Sequence, residues 1–168
     1  MNKFMIKKPY LLCICGCKNS GKTTLITKII EKLCGLGYKV ATIKHDGHDF
    51  EVDTEGTDTF KHRQSGAYGT AIFSKNKFMI VKKQKETLED ELINYFPEAD
   101  VIILEGLKNS HYSKFEIVRK NNSQTTVCNR KNLIAILSDM EEIEGVEKII
   151  DLNNVDLIVE EIFKQMKV

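Results

Sequence analysis

Residues 16–23 read Gly16-Cys17-Lys18-Asn19-Ser20-Gly21-Lys22-Thr23, which fits G-x-x-x-x-G-K-[ST] without a gap. The apolar run YLLCIC (10–15) precedes this stretch. After it, Leu25, Ile26, Ile29, Ile30 and Leu33 recur at helical spacing. Strand, glycine-bounded loop and helix, in that order, is the context the motif requires. Gly16 and Gly21 permit backbone angles that a Cβ forbids. The loop residues Cys17, Lys18, Asn19 and Ser20 then turn their N–H groups inward above a helix N-terminus, forming a nest for anions. Lys22 is expected to reach the β- and γ-phosphates of a nucleotide, and Thr23 to offer its hydroxyl to Mg2+.

Outward from this stretch the pattern alternates. Gly35 and Gly37 stop the helix begun at 22, and YKVATIK (38–44) reads as a second strand. Residues 57–65 suit a short helix. Strands at 68–74 and 78–83 flank KNK as a hairpin, and 87–96 is an acidic amphipathic helix. DVIIL (100–104) and NLIAILS (132–138) are buried strands. KFEIVRK (114–120) alternates like a strand with one wet face, and 154–167 forms a closing helix. Apolar strands interleaved with helices imply a mostly parallel sheet covered on both sides. The expected fold is α/β, a three-layer phosphate-loop NTPase fold with an added antiparallel hairpin. With 168 residues, two prolines and no Ser/Gly-rich linker, residues 1–168 read as one nucleotide-binding domain.

Composition narrows the function. A net charge of +1 leaves no global basic field for nucleic acid. No stretch approaches the roughly 20 apolar residues of a membrane span. Lysines near the N-terminus precede only a six-residue apolar run, which leads into the phosphate loop rather than a cleavage site. The expected location is the cytoplasm. Five cysteines, an odd count, argue against a disulfide framework. Cys13 and Cys15 are expected as small buried apolar residues, with a metal site at Cys13, Cys15 and Cys17 as the alternative.

Two further elements end at the sheet edge that should carry the loop. The strand DVIILE closes on Glu105, followed by Gly106. An acid after an apolar strand is placed to hold Mg2+ or polarise an attacking water. The stretch TIKHDGHDF (42–50) starts a polar segment containing His45, Asp46, His48, Asp53, Asp58, His62 and Arg63. Such segments commonly meet the γ-phosphate or the water. His45 is expected nearest the ligand, with Gly47 leaving the loop flexible. Half a zinc site at His45 and His48 is the competing reading, but a closed zinc site needs four ligands. Asp139, directly after LIAILS, is a candidate acceptor for the two N–H donors of a guanine edge, or else a plain turn residue.

Taken together, GCKNSGKTTL, IKHDGHDFEVDTEGTDTFKHRQSGA, ILEGLKNSHYSKFEIVRK and IAILSD resemble the MobB family of molybdopterin-guanine dinucleotide biosynthesis adaptor proteins. The long KH…HxFxxDxxGxDTxxHRxxGA string is the specific part, and the resemblance spans about residues 12–139. It implies GTP binding, feeble Mg2+-dependent GTP hydrolysis, a homodimer and partnership with a MobA-type molybdenum cofactor guanylyltransferase. Molybdopterin is a further candidate ligand. By position, Gly16, Ser20, Gly21, Lys22, Thr23 and Thr24 hold phosphate. His45, His48, Asp53, Gly56, Asp58 and Arg63 form the polar segment, and Glu105, Gly106 and Lys108 the second acidic motif. Glu105, His45 and Arg63 form the expected catalytic set. Where many relatives carry a side chain, this sequence has Gly47. A small-molecule kinase and a metallochaperone-type GTPase are the alternatives. The first lacks an arginine-rich lid, and the second needs a Cys/His cluster.

Overall fold

Leu12, Cys13, Ile14 and Cys15 are fully buried, which requires that the strand carrying them be covered on both faces. That strand, β1 (Tyr10–Gly16), lies inside a six-stranded parallel sheet. Its companions are β2 (Val40–Lys44), β5 (Val101–Glu105), β6 (Lys114–Val118), β7 (Leu133–Ser138) and β8 (Ile149–Asp151). The order across the sheet is β2-β5-β1-β6-β7-β8. The structure, a computed structural model, describes residues 9–48, 50–86 and 89–166. Asp49 of the polar loop, residues 1–8, the expected helix start at 87–88 and position 167, the expected end of the closing helix, therefore lie outside the described residues.

The chain forms two compact units, one from residues 1–45 and 89–168, the other from residues 46–88. In the first, side-chain alternation along β1 divides the core. Leu12 and Ile14 pack with Leu25, Ile29 and Leu33 of α1 (Lys22–Gly35) and with Ile158 and Ile162 of α4 (Val155–Met166). Cys13 and Cys15 pack on the opposite face with Ile43, Ile102, Leu104 and Tyr112, joined by Leu92 and Ile93 of α3 (Glu89–Ile93). The result is the expected three-layer α/β arrangement.

Several local outcomes differ from the sequence reading. β2 starts at Val40 rather than 38 because the end of α1 takes Tyr38. Gly37 adopts φ +86°, and the Tyr38 N–H donates to the Leu33 carbonyl at 3.1 Å, closing the helix end. The acidic helix is short, its described part covering Glu89–Ile93. β8 has no counterpart in the sequence reading, because three residues carry too little periodicity to register.

β6 has no wet face: Lys114, Phe115, Glu116, Ile117 and Val118 are all buried. It lies between β1 and β7, and loops supply partners for its charges. The Lys114 ammonium donates to the carbonyls of Ser110 (2.5 Å) and Lys108 (3.4 Å). The Glu116 carboxylate accepts the N–H groups of Val127 (2.5 Å) and Cys128 (3.2 Å). Alternation alone cannot distinguish water from such loop-supplied partners. The same Glu116 contacts hold Cys128 against β1, where it forms a disulfide with Cys15 across a separation of 113 residues. The expectation of Cys15 as a free buried residue, in a chain read against a disulfide framework, is thus corrected. An odd count does not exclude one bridge, and residues 15 and 128 meet only through the fold. Cys13, Cys17 and Cys34 are free.

In the second unit, α2 (Asp58–Gln64) starts at Thr57, whose hydroxyl accepts the Phe60 N–H. β3 (Gly69–Phe73) and β4 (Phe78–Lys82) pair antiparallel, as the sequence predicts, with Phe73 opposite Phe78 and Ala71 opposite Ile80. Among the described residues, no helix is long and apolar enough to cross a membrane.

Candidate functional site

In the first unit the parallel strands deliver their C-terminal ends to one edge, where open α/β sheets place their ligands. Gly16 ends β1, Lys44 ends β2 opposite Glu105 of β5, and Ile14 of β1 flanks Glu105 on its other side. His45 follows directly. Its N–H donates to the Glu105 carbonyl at 3.0 Å, and a Cβ on Gly106 would stand 3.3 Å from the His45 carbonyl oxygen. The structure thus puts His45 and Glu105 side by side at the edge that carries the loop.

The loop itself takes the form the motif demands. Gly16 has φ +145° and Gly21 φ +92°, while Asn19 lies in the left-handed region at φ +60°. Gly21 caps α1 with no side-chain hydrogen bond to the cap, and no acid stands in the first turn. That helix end, with its partial positive charge, thus has no side-chain cap and no acid in its own first turn. The Ser20 hydroxyl is buried and lacks a hydrogen-bond partner. The Lys22 ammonium folds onto the loop, donating to the carbonyls of Cys17 (2.8 Å) and Gly16 (3.3 Å). Thr23 donates its hydroxyl to Glu105 Oε1 at 3.4 Å. Thr24, the next residue, is exposed.

Arg119, the residue after β6, completes this edge. Its Nη1 lies 3.4 Å from the position of a Cβ on Gly21. Its Nε faces Asp139 Oδ2 at 3.4 Å, and Asp139 Oδ1 accepts the Lys120 N–H at 2.8 Å. The Lys120 N–H holds the Asp139 carboxyl below its usual value; partial burial opposes this and Arg119 adds to it. Asp139, read from the sequence as either a guanine-edge acceptor or a plain turn residue, has two donors from its own chain. The only signal for Arg119 in the sequence is its place just after a strand, and that signal requires the strand order.

On the other side of the Glu105 strand end, the Cys13 thiol donates to the Gly106 carbonyl at 3.2 Å. Burial pushes that thiol up to about 11, against the opposing field of Lys114.

The remaining expected residues belong to the second unit. Asp46 Oδ1 accepts the His48 N–H at 3.3 Å. Asp53 Oδ1 accepts the Thr57 hydroxyl and the Thr54 N–H, each at 3.1 Å, and its Oδ2 faces Arg63 Nε at 3.6 Å. Burial opposes ionisation of Asp53, but the Thr59 and Thr57 hydroxyls, the Thr54 N–H and Arg63 together bring its carboxyl below the usual value. Within its unit, then, Arg63 braces the segment before α2. Among the described residues, no three His, Cys, Asp or Glu side chains gather to hold a metal ion.

The fold and this edge define an α/β protein of the phosphate-loop type. Residues 11–139 match the family described as molybdopterin guanine dinucleotide synthesis protein B, and the chain belongs to that family. It is 31% identical, over 92% of its length and 94% of the relative's, to the molybdopterin-guanine dinucleotide biosynthesis adapter protein of Escherichia coli (strain K12). It is 32% identical to the probable adapter protein of Bacillus subtilis (strain 168), covering 77% of this chain and 76% of that one. The crystal structure of Bacillus subtilis MobB superposes with a TM-score of 0.70 at 30% identity, covering 90% of this chain and 97% of the other.

Proposed function

We propose that this chain is a cytoplasmic GTP-binding adapter in molybdopterin guanine dinucleotide synthesis. It binds GTP with Mg2+ in the Gly16–Thr24 loop, hydrolyses it slowly, and acts as a homodimer beside a MobA-type guanylyltransferase. The observation that carries the nucleotide part is the Thr23–Glu105 contact, which brings the hydroxyl of the phosphate loop and the acid of a strand 82 residues away within 3.4 Å. A hydroxyl and a carboxylate facing each other beside an uncapped helix end is the donor set that a nucleotide-bound Mg2+ takes. The partnerless Ser20 hydroxyl and the inward-folded Lys22 fit a loop built around a phosphate. The preference for guanine rests on family membership.

In this reading, loop N–H groups and Lys22 hold the phosphates. Thr23 and Glu105 would hold the ion, which would supply charge stabilisation at the phosphate oxygens. Glu105 and His45 share the edge where water would approach the terminal phosphate, and Arg63 is the remaining member of the proposed catalytic set. Isothermal titration with GTP and with ATP, each with and without Mg2+, tests nucleotide and metal together. Binding of neither nucleotide would sink the reading. The variant Glu105→Gln keeps the shape but removes the charge. It is expected to slow GTP hydrolysis by about tenfold or more and to weaken Mg2+-dependent GTP binding more than metal-free binding. Unchanged turnover and metal dependence would leave Glu105 a structural residue.

The homodimer has its own support. In the hairpin, Phe73 is 85% exposed, Phe78 64% and Ile80 53%, although all three lie on one face of a two-stranded sheet. Such a sheet is marginal in water by itself, and a contiguous apolar face of this kind marks a contact surface. The double variant Phe73→Asp/Ile80→Asp is expected to sediment as a monomer where the unaltered protein sediments as a dimer. A variant that remains dimeric would place the interface elsewhere.

A further inference from the structure

Besides Lys22, Arg119 also faces the phosphate loop. β6 runs beside β1 with Ile117 opposite Gly16, so the chain leaving β6 passes the rim of the loop. Arg119 stands there with its backbone fixed: its N–H donates to the Ser123 carbonyl (3.3 Å), and its carbonyl accepts the Asn122 N–H (3.1 Å). The Asn122 side-chain amide donates to the Lys18 carbonyl at 3.0 Å, tying this turn to the phosphate loop. Asp139, one strand further along the sheet, faces Nε at 3.4 Å. A guanidinium has five N–H donors in a planar fork. Asp139 engages Nε, and Nη1 lies beside Gly21, 3.4 Å from the position a Cβ would take there. The Arg119 side chain is 41% exposed, so its outer face is open to a ligand.

We propose that Arg119 is a phosphate-contacting residue. Its Nη groups donate to the oxygens of the nucleotide's phosphate chain on the Gly21 side of the loop, and Asp139 is the positioning residue that aims the fork. This rests on the nucleotide reading above and deepens it: the site takes a polyphosphate held between two cations, Lys22 at the start of α1 and Arg119 just after β6. It also gives Asp139 a part at the phosphate end rather than at the base. Planar, bidentate recognition of phosphate is the task for which arginine exceeds lysine.

Titration of GDP and of GTP with Mg2+ into the unaltered protein and into Arg119→Ala, Arg119→Lys, Asp139→Asn and Arg119→Ala/Asp139→Asn tests it, with thermal melting of each ligand-free variant as the fold control. Arg119→Ala is expected to lose about 10- to 100-fold in affinity for both nucleotides, the range of a charge-assisted hydrogen bond. Arg119→Lys restores part of the loss, because the charge returns without the fork. Asp139→Asn alone weakens binding several-fold but adds nothing in the Arg119→Ala background, since a positioning residue has no effect once its client is gone. A folded Arg119→Ala protein that binds GDP as tightly as the unaltered chain overturns the role of Arg119 and leaves the phosphate-loop reading standing. An unaltered protein that binds neither nucleotide overturns both. If Arg119→Ala melts early, Arg119→Gln takes its place under the same criterion. Equal loss from Asp139→Asn in both backgrounds overturns the positioning role.

Discussion

Lys22→Ala is expected to weaken GTP binding about 100-fold while the protein still melts cooperatively. The Lys22 ammonium reaches only two carbonyls of its own loop, those of Cys17 and Gly16, and both are close to solvent. Losing two such bonds costs the fold about 1 kcal/mol each at most. A triphosphate in the loop needs that ammonium at its β- and γ-oxygens, in a site walled by backbone. Removal of a charged donor there costs about 3 kcal/mol, which lowers affinity about 100-fold. Calorimetric titration and a melting curve on one preparation check both halves. Retained GTP affinity would remove the phosphate-loop assignment, and with it the role proposed for Arg119.

Gly16→Ala is expected to damage both stability and binding. Gly16 has φ +145°, a region that side chains rarely enter. Its new Cβ would stand 2.7 Å from the Ile117 carbonyl oxygen and 2.9 Å from the Ser20 hydroxyl. The first neighbour is backbone, held in register between β1 and β7, so it cannot step aside without disturbing the sheet. Backbone strain and overpacking together suggest a cost of about 2–4 kcal/mol, or a melting temperature lower by about 5–15 °C for a chain of this size. GTP affinity should fall at least about tenfold, because Ser20 and the loop N–H groups shift with the clash. Gly35→Ala is the control. Nothing lies within 4 Å of its Cβ position, so little change is expected. A Gly16→Ala protein that melts and binds normally would show that the loop has slack the structure does not display.

The two variants probe the part of the molecule most legible in the sequence. The loop is local: eight consecutive residues, an apolar strand before them and an amphipathic helix after them specify the anion nest without distant help. Glu105 and His45 were also within reach, because both follow strands and a parallel sheet gathers strand ends at one edge. The KNK hairpin shows itself by two short apolar runs around a polar turn. What is illegible is harder for a physical reason. Lys114 and Glu116 alternate with Phe115 and Ile117, and alternation is what a half-wet strand looks like. Only the loops at 108–110 and 127–128, folded back over β6, turn that face into interior.

The sequence alone determines that this chain builds a phosphate loop at the edge of a parallel sheet with an acid near it, and its long polar string marks the family. These follow from short-range patterns, in which each residue's role depends on neighbours a few positions away. Tertiary structure decides the partners. It joins Cys15 to Cys128, pairs Arg63 with Asp53 inside its own unit, and sets Arg119 and Asp139 at the rim of the loop. The reason is the strand order. β6 lies beside β1 although it starts at Lys114, 98 positions after Gly16, so no local spacing brings Arg119 to Gly21; only the register of Gly16 opposite Ile117 does.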